Sequence, residues 1–408
     1  MTEKQEKSSE AIFSKSFDRN PYPIFKRLRQ EDPIRKTMLP SGHYTWIVTT
    51  YKDAETILKD KRFIKDYTNL MEFEKEEDRY AHTSIFARNM LFADLPDHRR
   101  LRGLVQQAFT PKVIEELRPR IQEITDDLLD QVEQNGKMNL IDDFAFPLPI
   151  IVICEMLGVP SEDRDQFRMW SNTLIESTGD PEDTEKVMLH MQQFTQYLTD
   201  WVATRRHEPK EDLVSKLIHA EEEGDRLSEQ ELYGVIALLI MAGHETTVNL
   251  ISNGVLALLN HPDQLEALRK DPSLIKPAIE EFLRFDGPVE FSTDRWAIET
   301  IEIGGQMIQK GDHVLVALNS ANRDESVFND PDLFDITRDS SKHLAFGKGI
   351  HFCLGAPLAR LEAEIAVGTL LNRLTNLKLN VEEHKLIWRP SLIIRGLEEL
   401  PITFEKVN

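Results

Sequence analysis

The sequence predicts a mainly α fold with a smaller β-rich portion that interrupts it along the chain. Three observations carry this. From Pro111 to about Lys276, apolar residues recur at three- and four-residue spacing almost without a break. Ser228 followed by Glu231 forms a capping-box pattern ahead of a segment that is apolar nearly all round, which predicts a long helix through the centre of the protein. From Arg295 onward the texture changes to short alternating runs divided by Gly-Gly and Lys-Gly, as strands and tight turns require.

In chain order, residues 1–20 are polar and predict a loose arm, leaving 21–408 as one large domain. "PYPIFKRLRQEDPI" reads as a short helix bounded by prolines, and the aromatic and β-branched "YTWIVTTY" as a strand. Lys61 to Arg88 is long, charged and irregular, and no shape follows from it. "LPDHRRLR" reads as helix, with His98 and Arg102 four apart on one face. "PKVIEELRPRIQEITDDLLDQVEQNG" reads as a helix that stops at Gly136, and "PSLIKPAIEEFLRF" as another. "RWAIETIEIGGQMIQKGDHVLVALN" and the C-terminal "SLIIRGLEELPITFEK" read as strands. Between them, "APLARLEAEIAVGTLLNRL" reads as a helix, with Pro357 suited to its first turn.

The 408 residues suffice for a large core. Asp and Glu outnumber Lys and Arg 70 to 49, for a net charge of −21, which disfavours nucleic acid and anionic membranes as partners. The polar N-terminus has no apolar stretch of signal-peptide length, and the run Val235 to Gly243 falls well short of the roughly 18 residues that span a bilayer. With two cysteines, a disulfide scaffold is not expected, and the reading is cytoplasmic. Cys154, inside "IIVICEML", reads as ordinary core.

Cys353 does not. It lies in "FGKGIHFCLG", too rich in glycine for core, and a helix starts directly after it. A helix N-terminus offers unpaired N–H groups and the positive end of the dipole, and both favour thiolate over thiol. Gly347, Gly349 and Gly355 permit backbone angles closed to other residues and the close approach of a flat ligand. Zinc would need a fourth ligand beside His343, His351 and Cys353, and nothing nearby supplies it. A Cys–His nucleophile lacks an obvious orienting group.

Phe-Gly-x-Gly-x-His-x-Cys-x-Gly resembles the haem-ligand loop of the cytochrome P-450 family at every fixed position, and the resemblance extends from Asn20 to the end of the chain. It implies the cytochrome P-450 fold and a b-type haem with Cys353 as its axial thiolate, a ligand that favours O–O cleavage. The other motifs agree. "AGHETT" resembles the family's oxygen-binding groove: Gly243 would let the helix open, and Glu245 and Thr246 would form the acid–alcohol pair that relays protons toward dioxygen. Taken alone, the same residues could face solvent, with Thr246 bonded back to its own helix. Glu281 and Arg284 in "EEFLR" could be a surface ion pair. The resemblance makes them a buried network, with Arg338 as third member, that fixes the cysteine loop. His98, Arg102, Arg295 and His351 resemble the family's partners for the two haem propionates.

By the same resemblance, Leu238, Ala242, Val289, Phe291, Ile393 and Ile394 would line a pocket for a lipophilic small molecule. Electrons would come from a separate ferredoxin or flavodoxin with its reductase, steered by Arg99, Arg100, Lys342, Lys348 and Arg360. The function implied is a haem-thiolate monooxygenase that hydroxylates or epoxidises its substrate with dioxygen. A peroxide-driven peroxygenase and a non-catalytic haem gas sensor are the alternatives, and the Glu–Thr pair argues against both.

Overall fold

Helices dominate the computed structural model, which describes residues 12–71, 88–176, 181–222 and 227–407. The periodic stretch after Pro111 is helical through Pro111–Glu116, Arg118–Val132, Pro147–Leu157, Arg164–Glu176, Pro181–His207 and Leu213–Glu222, and continues in Glu229–Asn260, Pro262–Lys270 and Ile275–Phe285. The single helix expected over "PKVIEE…" is two, divided at Leu117. Pro119 is the reason: its ring disfavours a helical residue before it and supplies no N–H, so it sits best in the first turn of a new helix. Gly136 lies in the turn beyond, at φ +66°.

Glu229–Asn260 carries the capping box read from the sequence: the Ser228 hydroxyl accepts the Glu231 N–H, and the Glu231 carboxylate accepts the Ser228 N–H at 2.8 Å. By length and composition this helix could cross a membrane, but 72% of its most apolar window is buried inside the protein. It packs against Pro147–Leu157, Ile275–Phe285 and Ala356–Arg373, the helix that follows Cys353. Each leucine or isoleucine buried in this way contributes about 1.5–3 kcal/mol.

The β-rich portion holds a five-stranded sheet in the order Ile34–Met38, Tyr44–Val48, His313–Val316, Arg295–Ala297, Phe63–Ile64. All its pairs are antiparallel except Tyr44–Val48 with His313–Val316. Ile301–Ile303 and Gln306–Ile308 form the hairpin predicted at Gly304-Gly305. At the C-terminus, strand Pro401–Lys406 pairs with Leu374–Leu379 and Lys137–Asn139, while the segment before it is a loose hairpin marked by single bridges, Trp388 to Leu397 and Val289 to Ile394.

The N-terminal arm departs from expectation. Residues 1–11 lie outside the described residues, as do 72–87 of the irregular charged segment. The rest of the arm is docked rather than loose. Lys15–Arg19 is a short helix, Ile12 and Phe17 are buried with Phe25 and Phe291, and Arg395 donates to the Asp18 carbonyl at 2.8 Å. Two large apolar side chains outweigh the polar composition around them.

Candidate active site

The Cys353 loop is shaped by its glycines. Gly347 and Gly349 have φ +70° and +74°, and a Cβ on Gly349 would sit 2.8 Å from the Leu58 carbonyl oxygen. Phe346 C=O accepts the Cys353 N–H at 2.9 Å, and Gly355 caps the helix Ala356–Arg373. Cys353 is exposed as a residue, although protein crowds its sulfur. That crowding pushes the thiol above its ordinary value, while the backbone N–H groups of Gly355 and Ala356 and the charges of Arg102 and Arg360 favour thiolate.

Basic side chains from four separate stretches converge beside this loop. The His98 and His351 rings lie 4.5 Å apart, and Arg102 Nη1 donates to the Ile350 carbonyl at 3.3 Å. Arg295 is buried, with Nη1 on the Phe63 carbonyl at 3.3 Å, and burial lowers it to about 10. Lys65, which the sequence reading did not single out, is buried too, its Nζ on the Thr293 carbonyl at 3.0 Å. His351 is driven down to about 2 by burial and by the neighbouring Lys65, Arg295, His98 and Arg102. His98 Nε2 and Arg295 Nε are buried without a hydrogen-bond partner. Buried cations crowded together with imidazole rings and orphaned polar nitrogens are a site built for an anion. The two carboxylates of a haem would fit these residues, and Cys353 would be its thiolate ligand.

The Glu281–Arg284 pair is fully buried, not a surface bridge. Arg284 Nε and Nη2 reach the two oxygens of Glu281 at 2.7 Å each, and its remaining donors meet the carbonyls of Asn322, Pro331 and Leu333. Glu281 also accepts from Ser340 at 2.6 Å and from the Asp335 N–H at 3.0 Å, with Arg338 Nε at 3.5 Å. Asn322 Oδ1 takes the Leu344 N–H at 2.6 Å, carrying the network to the start of the cysteine loop. Its neighbour Glu280 holds the loop a second time. It binds Arg360 at 2.6 and 2.9 Å and His343 at 3.1 Å; burial opposes its charge, but these partners bring its carboxyl to about 2. The duplicated glutamate in "EEFLR" was the available signal for this.

On the central helix, Gly243 does not open the backbone. The helix is continuous, and Gly243 faces Ile153, whose Cγ1 would be 3.0 Å from an added Cβ. Close helix packing is what requires glycine there. Thr246 Oγ1 donates to the Ala242 carbonyl at 3.2 Å, the back-bonded arrangement that the sequence left open. Glu245 is buried and paired with Arg389. Ala242 is exposed in the middle of this mostly buried helix, and Leu238 is half-buried, as are Val289, Ile393 and Ile394. Phe291 is a correction. It is buried in a separate apolar cluster, its ring 5.8 Å from Phe25 and 6.4 Å from Phe17, so it is core rather than pocket lining.

The cationic patch is smaller than the sequence suggests. Arg360 is bound by Glu280, Arg100 by Glu231 and Asp97, and Lys348 lies 3.6 Å from Glu55. Arg99 and Lys342 are exposed.

Comparison with known proteins points to one family. The family model for cytochrome P450 matches residues 11–395. A protein of Bacillus subtilis (strain 168) named cytochrome P450 is 47% identical, over 99% of this chain and 100% of its own length. The cytochrome P450 monooxygenase PikC of Streptomyces venezuelae is 45% identical, over 96% of this chain and 92% of its own. The crystal structure of the myxobacterial cytochrome P450 CYP267B1, in complex with myristic acid, superposes with a TM-score of 0.92 at 42% identity, covering 97% of this chain and 99% of that one.

Proposed function

The chain belongs to the cytochrome P450 family and is a monooxygenase, and on that basis we propose that it hydroxylates or epoxidises a lipophilic small molecule, using a b-type haem bound through the Cys353 thiolate. The convergence of Lys65, His98, Arg102, Arg295 and His351 beside the cysteine loop is the observation that carries this reading. These side chains would neutralise the propionates, and the helix N-terminus behind Cys353 would keep its sulfur ionised.

When bound, the haem supplies dioxygen activation. The chain's own residues do the rest. Glu281, Arg284, Arg338 and Glu280 hold the cysteine loop in place. Leu238, Ala242, Val289, Ile393 and Ile394 offer an apolar surface that orients the substrate and excludes water. Thr246 and Glu245 carry protons inward, a contribution of about 10²–10⁴-fold. A separate ferredoxin or flavodoxin with its reductase would deliver electrons, with Arg99 and Lys342 left to steer an acidic partner. The apolar lining, together with the myristic acid held in complex by CYP267B1, makes that fatty acid a suitable first probe.

Carbon monoxide added to the reduced protein tests the ligand. A red-shifted Soret band of the thiolate type is expected, and Cys353→Ser should abolish it. A haem-loaded, folded sample without that band would remove the basis of the proposal. Thr246→Ala should leave haem content intact and divert reduced nicotinamide from product to peroxide, whereas full coupling in this variant would rule out the relay.

A further inference from the structure

We propose that Arg389 is a positioning residue for Glu245: from the C-terminal hairpin, it supplies the counter-charge that keeps the acid of the central helix ionised and pointed at that hairpin. Its consequence for turnover rests on the relay reading above, but its electrostatics do not.

Glu245, Asn249 and Asn253 recur at four-residue spacing along the central helix, so they share one face. All three are buried, and each has a counterpart in the 388–397 hairpin. Arg389 Nη1 donates to Glu245 Oε1. Asn253 Nδ2 donates to the Arg395 carbonyl at 3.0 Å. At Asn249, the hairpin presents Gly396, where an added Cβ would come within 1.9 Å of Asn249 Oδ1. Glycine is what lets the hairpin close on the helix there. Asn249 in turn donates to Glu245 Oε1 at 3.3 Å and to its carbonyl at 2.9 Å. Arg389 is fixed on its own side, its N–H donating to the Gly396 carbonyl at 2.9 Å beside the Trp388–Leu397 bridge.

Charge makes the pairing necessary. A carboxylate with 2% of its side chain exposed must be paired or neutral. Among the described residues, the other groups near it do not supply the charge. His244 is buried and its proton affinity lowered, so it is neutral at physiological pH. Arg168, on the helix Arg164–Glu176, is engaged by Asp142. Glu362, on the helix after Cys353, lies against Thr247 and is pushed up to about 8 by burial. Arg389, with 9% of its side chain exposed, is the cation in contact. The hairpin that holds it also carries Ile393 and Ile394, so the counter-charge of the acid is mounted on an element of the proposed pocket.

Infrared difference spectra of the full-length, haem-loaded protein test this at neutral pH. Wild type minus Glu245→Gln should show no carbonyl stretch of a protonated carboxyl, because Arg389 contacts Glu245 as its counter-charge. Arg389→Met should gain such a band, shifted in heavy water and missing from the Arg389→Met/Glu245→Gln double variant, while Arg389→Lys should not. The proposal is overturned if wild type loses a protonated-carboxyl band on Glu245→Gln, if Arg389→Met gains none, or if Arg389→Lys gains one as strong as Arg389→Met. Should Arg389→Met not fold, Arg389→Gln takes its place in the same comparison with the same expected band, and a protonated-carboxyl band lost from wild type on Glu245→Gln still overturns the proposal. If the infrared result holds while Thr246→Ala remains fully coupled, Arg389 keeps its role and the relay reading alone fails.

Discussion

Glu281→Gln replaces a single oxygen by an NH2 group and keeps the shape of the side chain, yet it should loosen the approach to the cysteine loop more than any surface substitution. Glu281 and Arg284 both have side chains 0% exposed, and Glu281 accepts two hydrogen bonds from Arg284, one from Ser340 and one from the Asp335 N–H. All four partners are donors. A glutamine amide turns one terminus into a further donor and leaves the guanidinium without a counter-charge. Removing one member of a buried pair costs about 3–5 kcal/mol. At about 1.4 kcal/mol per tenfold, opening of the attached segment becomes more frequent by a factor on the order of a hundred to several thousand. Amide hydrogen exchange followed by mass spectrometry reads this directly. The peptide covering residues 335–346 should exchange faster by that factor, with the hairpin Ile301–Ile308 unchanged. Acceleration below about tenfold, or an equal acceleration everywhere, would refute the assignment of the network to this loop.

Two further outcomes follow from the same loop. Glu280 stands at about 2 against an ordinary 4.5, a gap that corresponds to about 3 kcal/mol. Because its carboxyl is lowered on folding, that stabilisation is complete above about 4.5 and is lost as the pH falls toward 2. Urea midpoints of wild type and Glu280→Gln should therefore differ by a constant amount from about pH 7 down to about pH 5 and converge below it, and a gap that widens in acid would contradict the pairing. Gly349→Ala combines φ +74° with a Cβ 2.8 Å from the Leu58 carbonyl, whereas Gly347→Ala has φ +70° and its nearest neighbour at 3.8 Å. Strain of about 1–3 kcal/mol applies to both. Only the first adds a backbone clash, so it should show the larger loss of haem occupancy and of the thiolate-type carbon monoxide band; equal losses would show that contact with Leu58 is unimportant.

Much of this was legible because it is local. The capping box at Ser228 and Glu231 forms as written, since both bonds lie within four residues. The 3.6-residue period and the alternating runs identify helices and strands for the same reason. The motif residues were legible by resemblance, and their types suit the proposed chemistry: one thiol at a helix start, four bases for a dianion. What escaped depends on distant neighbours. Lys65 reads as one more surface lysine until Thr293 and Arg295 fold over it. Arg360 reads as a free cation until Glu280 meets it. Phe291 reads as pocket lining until the docked arm brings Phe17 beside it.

Elements, family and the expected iron ligand could all be read along the chain, because periodicity, capping and a ten-residue loop are properties of contiguous residues. Which charges are free and which are held emerged from the folded arrangement alone. A charge's partner is set by Coulomb's law and burial across space, and Arg389 and Glu245 are 144 positions apart. The same holds for glycine. Gly243, Gly349 and Gly396 look alike in the chain, and only the atoms facing each one (Ile153, Leu58 and Asn249) show why a side chain is excluded.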